Sequence, residues 1–342
     1  MKRVNEKFTL GKLKHRYLAQ LLSEIDIQDN RVIMGSKIGE DAAVIDIPGK
    51  NYLVSKIDPI TFVTDKIGYY AVIVNVNDLV CTGAKPKWFQ STILLPSNLT
   101  TREMIEQIFN DIHDTCKSME ITVIGGHTEV TPGLIRPIVI GSLIGEVEKK
   151  KLVLTSGAEP GDALILTKGI FIEGTSIIGR EKEKDLLIKG FDHEFIENCK
   201  NYLFSPGISV LNEALLANNN FKIKSMHDPT EGGLSTGIAE MTIASNTGVL
   251  IDENKIKILP EPLKLSKIFN LNPLNTISSG SLLIAIEEEY SNEIIELMNK
   301  NNIFAEKIGN FVSKEKGLNI ITKEHKKIPL EYSETDELTK IF

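Results

Sequence analysis

Two α/β domains of similar size, in the broad sense that includes α+β, follow from three features of the chain. Strand-like and helix-like segments alternate along most of its length. A run of lysines, glycines and a proline, KKKLVLTSGAEPGD, interrupts the pattern at 149–162. The total of 342 residues is long for one hydrophobic core and comfortable for two. The break places one domain at 1–155 and the other at 156–342.

The element that organises the first domain is the run 68–84, GYYAVIVNVNDLVCTGA. Tyr70, Val72, Ile73, Val74, Val76, Leu79 and Val80 cover most of the circumference of a buried helix, and Gly83 stands where a left-handed cap ends one. Asn75 and Asp78 are three apart and share a face. A carboxylate in such a helix costs several kcal/mol unless something pairs with it. Asp78 therefore either bonds a neighbouring loop or backbone group, or belongs to a metal or phosphate site.

The other elements follow from periodicity and turn chemistry. Residues 14–25 have helical spacing; 35–47 is a glycine-containing loop with the acidic pair Glu40 and Asp41 entering a strand; 52–58 is a strand ending on Asp58. A strand at 88–96 precedes a helix opened by a capping box of Thr100 and Glu103 and running to about Met119. The short strand ITVI then runs into a loop, GGHTEV at 125–130, and 135–147 is a strand. Beyond the break come a strand in ALILTKG, a helix around 207–217, and a strand KIKSM that ends in the loop HDPTEGGL. A small-residue helix, GLSTGIAEMTIAS, follows, then a strand at 281–286, a helix at 291–299, two further strands and a charged, peripheral tail.

Composition narrows the function classes. The 42% hydrophobic and 25% charged content is that of an ordinary soluble globular protein. A net charge of −7 with no basic face argues against nucleic acid as a partner, and an acidic site accepts a nucleotide only when divalent cations bridge the two. The three cysteines form no CxxC pair, which argues against a zinc ribbon or a disulfide framework. The N-terminal stretch has no signal-peptide core and no run has the length of a membrane span, so the expected location is cytoplasmic, away from any membrane. The chain has no GxxxxGK[ST], no GxGxxG and no GxSxG; His193-Glu194 fails as a zincin because position 197 is Glu.

What remains is a set of acidic residues at strand ends or beside glycines: Asp41, Asp58, Asp78, Glu129 and Asp228. Singly each is an ordinary turn-former or cap. Together they are the hard oxygen donors of a Mg²⁺ site completed by phosphates. Gly125, Gly126, Gly232 and Gly233 would let backbone N–H groups approach those phosphates, and Gly232-Gly233 opens a helix whose N-terminus favours anions. His127 and His227 are either phosphate contacts or loop hydrogen-bonders.

GEDAAVI (39–45), NVNDLVCTGAKP (75–86), GGHTEV (125–130), PGDALILTKG (160–169) and HDPTEGGL (227–234) occur in the order seen in the aminoimidazole ribonucleotide (AIR) synthase superfamily, and the chain resembles that superfamily, in its HypE-like hydrogenase-maturation branch, over about residues 35–312. The resemblance implies a two-domain fold whose N-terminal sheets pair two copies into a barrel-forming homodimer. It implies ATP and Mg²⁺ as cofactors, in a cleft between the domains, and phosphorylation of an amide or carbonyl oxygen of an acceptor, a small molecule or a protein. Matched residue by residue, the metal and phosphate ligands carried over are Asp41, Asp58, Asp78 and Asp228; the candidate metal set adds Glu129, and the candidate ATP or phosphate contacts are Gly39, Asp41, Asn75, Gly125, Gly126, Thr128, Lys168, His227, Gly232 and Gly233. Lys168 is either an extra cation or an exposed lysine.

The departures bear on the acceptor. HypE-like carbamoyl dehydratases end in a carbamoyl-carrying Cys, whereas residues 338–342 here read Leu-Thr-Lys-Ile-Phe. Gly-Gly-His-Thr stands for Gly-Asp-Thr, Ser278-Ser279-Gly280 for Glu-Gly, and Glu231 for an Arg. Cys81, inside the apolar helix, reads as inert packing. The expected function is an ATP- and Mg²⁺-dependent phosphoryl-transfer enzyme. The alternatives are a true hydrogenase-maturation activity, a small-molecule kinase like the thiamine-monophosphate relative, and a non-catalytic nucleotide-binding assembly protein.

Overall fold

The computed structural model describes residues 13–333 and 335–342. The first twelve residues, part of the stretch where the sequence has no signal-peptide core, and Glu334 lie outside the described residues.

The N-terminal half builds a mixed six-stranded sheet from β1 (Val32–Met34), β2 (Ala43–Asp46), β3 (Asn51–Ile60), β4 (Lys85–Pro96), β5 (Thr122–Thr131) and β6 (Ile138–Glu148), in the order β1-β2-β3-β6-β4-β5. All pairs are antiparallel except β4 with β5. Three helices accompany it: α1 (His15–Leu22), α2 (Ile67–Cys81) and α3 (Arg102–Ser118). The organising run is α2, in which every residue but Tyr69 is buried. Gly83 follows it with φ +78°, and its N–H donates to the Val80 carbonyl at 2.8 Å, ending the helix as the sequence predicts.

The helix lies close on β6 because that strand carries glycine where the two meet. A Cβ on Gly141 would stand 2.4 Å from Asn75 Nδ2 and 2.7 Å from the Ala71 carbonyl, and one on Gly145 would stand 2.8 Å from Leu79 Cδ2. Along β6, Val139, Leu143 and Val147 are buried under α2 while Ile138, Ile140 and Ile144 alternate onto a half-exposed opposite face.

Two local expectations are corrected. The helix cap is Thr101, whose hydroxyl accepts from the Met104 N–H at 3.2 Å; Thr100 bonds back to the Pro96 carbonyl instead. GGHTEV is no loop: β5 runs straight through it, paired with β4, and Thr122–Val130 are exposed on both faces of this edge strand. Gly126 is needed there, since a Cβ would stand 2.2 Å from the Ser91 carbonyl.

The C-terminal half forms a seven-stranded sheet from β7 (Ala163–Thr167), β8 (Ser225–His227), β9 (Gly248–Asp252), β10 (Leu283–Ile286), β11 (Ala305–Val312), β12 (Leu318–Ile321) and β13 (Lys327–Pro329), in the order β13-β12-β9-β11-β7-β10-β8. Its helices are α4 (Ile172–Glu181), α5 (Glu183–Ile188), α6 (His193–Asn201), α7 (Leu211–Asn220), α8 (Gly233–Ser245), α9 (Pro260–Phe269) and α10 (Ser291–Lys300). The small-residue helix appears as α8 with the predicted bounds; α4, α5, α6 and α9 occupy stretches that periodicity leaves unassigned. The tail is not peripheral: Asp336 and Leu338 are buried, and Ile341 packs against the core. No helix among the described residues is long and apolar enough to cross a membrane.

Helix α2 is also the seam between the halves. Asn77 donates from Nδ2 to the Ile208 carbonyl at 2.7 Å and accepts the Val210 N–H at 2.9 Å, while the Tyr70 hydroxyl bonds Ser176 Oγ at 3.2 Å.

Gly141→Ala is expected to lower the free energy of urea unfolding by about 1–3 kcal/mol, the usual cost of forcing a methyl group into a close contact. An unchanged urea midpoint would show that α2 does not depend on the bare strand beneath it.

Candidate functional site

An acidic centre forms where α2, β3, the loop before β2 and the end of β8 converge. From α2 comes Asp78, 4% exposed. From β3, on one face by strand alternation, come Lys56 and Asp58. The Lys56 ammonium reaches Asp78 Oδ2 at 2.7 Å and Asp58 Oδ2 at 3.3 Å. From the second half come His227 and Asp228. The imidazole bridges two carboxylates, Nδ1 to Asp41 Oδ2 at 3.2 Å and Nε2 to Glu240 Oε2 at 2.9 Å. Glu240, on α8, also meets His15 of α1 at 3.4 Å. Asp228 Oδ1 accepts from Cys81 Sγ at 3.8 Å, and its Oδ2 is buried without a hydrogen-bond partner.

The electrostatics report a surplus of negative charge. Burial pushes the Asp78 carboxyl up to about 6; Lys56 pulls against it, and Asp41 and Asp58 push with it. Burial and then Asp78 raise Asp228 well above the carboxylate range, only partly opposed by His227. The two cations respond in the opposite sense. Burial alone would discharge Lys56, but Asp78, Asp41 and Asp58 together hold it charged well above its usual range. Burial also works against a charged His227, and Asp41 and Glu240 outweigh it. The Cys81 thiol is raised well above its usual value, first by burial and then by Asp228, so it is packing rather than a nucleophile.

Of the residues singled out by sequence, Asp41, Asp58, Asp78, Asp228 and His227 come together here. Gly39 (φ +82°) seats the Asp41 loop on α8, where a Cβ would stand 2.8 Å from the Glu240 carbonyl. Asn75 lies beside the centre and bonds the Ala71 carbonyl at 2.8 Å. Gly125, Gly126, Thr128 and Glu129 lie apart, on the edge strand β5, where Glu129 meets His127 at 3.2 Å and Thr131 at 2.8 Å. Lys168 is neither exposed nor spare: its ammonium contacts Glu213 at 2.7 Å and the Ser209 carbonyl at 2.6 Å. At the N-terminus of α8, the Gly232 N–H already donates to a carboxylate, Asp336 Oδ2 of the tail, at 2.7 Å.

Sequence reasoning missed Lys56, Glu240 and His15. Lys56 carried a usable signal, two residues before Asp58 on the same strand face; the pairing of Glu240 with His227 and His15 depends on tertiary contact and carried none.

The donor chemistry suits Mg²⁺, because hard carboxylate oxygens outnumber the local cations and a buried Asp228 oxygen lacks a partner. Among the described residues, however, no three His, Cys, Asp or Glu side chains converge closely enough to hold a metal ion by themselves. The protein alone balances Asp78 and Asp58 with Lys56.

Comparison with known proteins identifies the family to which this fold belongs. The profile described as AIR synthase related protein, N-terminal domain, matches residues 39–147, and its C-terminal counterpart matches 159–320. A Methanocaldococcus jannaschii protein named for hydrogenase expression and formation is 30% identical over 308 residues, 88% of each chain. Carbamoyl dehydratase HypE of Rhizobium leguminosarum is 23% identical over 79% of this chain and 75% of its own length. The crystal structure of the hydrogenase maturation protein HypE in complex with ATP superposes with a TM-score of 0.68 at 19% identity, covering 94% of this chain and 96% of the other. The chain belongs to the AIR synthase related family and is similar to its HypE members.

Lys56→Met leaves Asp78 buried, with the part-exposed Asp58 next to it, beside an apolar chain. In EDTA, the unfolding free energy is expected to fall by about 3–5 kcal/mol, the usual cost of breaking a buried ion pair on one side. A loss below about 1 kcal/mol in urea titrations would mean that the centre is wetter than its burial indicates.

Proposed function

We propose that the chain is an ATP- and Mg²⁺-dependent phosphoryl-transfer enzyme that activates an amide or carbonyl oxygen of its acceptor. The observation that carries this reading is the buried surplus of carboxylates around Asp78 and Asp228, a centre that gains stability from added positive charge. HypE has been solved with ATP, and the fold is shared. Asp41, Asp58, Asp78 and Asp228 are the residues that would hold the metal, with the nucleotide's phosphates completing its shell. Bound Mg²⁺ would neutralise charge on the phosphate oxygens. Lys56 then serves as the resident counter-ion, which either shifts toward the phosphates or stays to orient Asp78. His227, fixed between Asp41 and Glu240, positions the Asp41 loop. Gly232 would offer its N–H to phosphate once the Asp336 carboxylate gives way, while the Gly233 N–H is held by the Thr230 carbonyl at 2.9 Å.

The relative named for hydrogenase expression and formation favours a second reading, a role in hydrogenase formation. Ser279 and Glu231, where HypE-like proteins carry Glu and Arg, favour a different acceptor chemistry.

Thermal melts with ATP, ADP and GTP, each with Mg²⁺ and with EDTA, test the reading on wild type and Asp78→Asn. Ligand at a hundredfold excess over Kd is expected to add about 2.7 kcal/mol of stability. The ATP shift should require Mg²⁺ and disappear in Asp78→Asn. Absence of any nucleotide shift would sink the proposal. Phosphate release on acceptor addition separates activation with hydrolysis from a kinase, which leaves ADP and a phosphorylated product.

The homodimer belongs to the same reading. The face of the first sheet away from α2 presents Ile57, 65% exposed, beside Ile140 and Ile144, and β5 is an exposed edge. Ile57→Lys is expected to convert a dimeric light-scattering mass to a monomeric one. A wild type that is already monomeric at micromolar concentration would refute the dimer.

A further inference from the structure

Asp58 has a second neighbourhood. The carboxylate that meets Lys56 in the acidic centre also lines a cavity of about 60 Å³ between the two halves of the protein. The cavity is walled by Phe62 and Tyr70 from the first half and by Glu173, Glu231 and Ser279 from the second. Among the described residues no Lys, Arg or His lines it. Phe62 and Glu231 also face the tail, where Asp336, Leu338 and Phe342 close the adjoining space.

Two polar atoms in this cavity are orphaned. Glu173 is 5% exposed and Ser279 is 1% exposed, yet beyond the contact of these two side chains with each other, Glu173 Oε2 and Ser279 Oγ find no well-placed hydrogen-bond partner. A buried acceptor left without a donor costs about 1–3 kcal/mol. Such groups mark a place where a partner is absent. Glu173 lies in the first turn of α4, and Ser279 lies in the loop that leads to β10, bridged to Ser281.

We infer that this cavity anchors the acceptor by a small organic cationic group rich in N–H donors, an amidinium, guanidinium or primary ammonium, while the oxygen that receives the phosphoryl group lies elsewhere on the same molecule. This rests on the phosphoryl-transfer reading for calling the ligand an acceptor; the ligand's chemistry rests on the cavity alone. Glu173 Oε2 and Ser279 Oγ supply two acceptors for N–H groups, Glu231 and Asp58 add negative charge, and the Tyr70 and Phe62 rings offer the apolar flank that suits a planar cation. A metal ion is the poorer match, since no three ligating side chains converge there. An anionic head group is excluded by the carboxylates. The volume fits a head group but not a nucleotide, and the shared Asp58 wall places that head group next to the phosphoryl-transfer centre.

The Glu173 carboxyl carries the imprint of this environment. Burial raises it to about 8, with Glu231, Asp336 and Asp58 adding to the rise and Ser279 opposing it. A bound cation would relieve the same crowding of negative charge.

The test uses acetamidinium and methylguanidinium at millimolar concentration as probes, with acetamide and acetate as neutral and anionic controls, in calorimetric titrations without nucleotide. The cations are expected to bind and the controls to fail. Glu173→Gln keeps the shape but removes the carboxyl that ionises beside a bound cation, and Glu231→Gln removes a second charge. Each should weaken cation binding by about tenfold or more, as expected for loss of a charge-assisted hydrogen bond. Retention of the wild-type melting temperature in Glu173→Gln shows that the loss is local. Wild-type affinity in both variants, binding of acetate, or no binding by either cation would overturn the inference. The titrations need no ATP, so cation binding without any nucleotide shift would refute only the phosphoryl-transfer reading, and a nucleotide shift without cation binding would refute only the acceptor assignment.

Discussion

The Asp78–Lys56 pair sets the terms for the rest of the structure. Helix α2 is buried by the first sheet on one side and by α7 and β8 on the other, so a carboxylate on it has no route to water. Several kcal/mol of lost hydration must be offset from within the protein. The sheet contributes Lys56 on β3. The second half contributes another acid, Asp228, together with a histidine whose positive charge is already taken up by Asp41 and Glu240. The halves thus meet over a centre that is only partly neutralised. Burying an apolar surface at this seam would have been simpler, and keeping a carboxylate surplus there has its physical rationale in a ligand of opposite charge.

The way α2 is held supports that account. Glycines at 141 and 145 bring the helix down onto β6, and Asn77 fastens it to the backbone at Ile208 and Val210. Positions 75, 77 and 78 therefore divide the work within one turn: packing on the sheet, joining the halves, and presenting a charge. A helix fixed on two sides cannot swing its carboxylate to solvent. That is the rigidity a metal or phosphate site needs from its supporting shell.

Much of this was legible in the sequence because it is local. The apolar run with Gly83 after it, the acidic residues at strand ends, and the glycine pair before a small-residue helix all depend on near neighbours, and the fold class follows from the alternation. The parts that were not legible depend on distance. Lys56 reads as an ordinary strand lysine until α2 is laid over it. GGHTEV looks like a loop because two glycines usually bend a chain, but β4 pairs with it and keeps it extended, with Gly126 required by the Ser91 carbonyl. Lys168 looks like a spare cation until Glu213, forty-five positions later in sequence, is found buried against it. The tail looks peripheral because it is charged, yet one of those charges, Asp336, caps α8.

That cap links the tail to both cavities. The α8 N-terminus attracts an anion whatever its source, because its first N–H groups have no intrahelical acceptor. In this conformation the anion is the Asp336 carboxylate, which burial raises to about 7 although the N–H groups of Leu338 and Gly232 pull it down and Glu231 pushes it further up. A carboxyl under that strain is a weaker partner for the helix than a phosphate would be. The same Glu231 walls the cation-friendly cavity, so neutralising it from that side would ease Asp336 as well. Occupancy of the acidic cavity and the hold of the tail on α8 are in this way coupled through one side chain, without any need for the backbone to move between them.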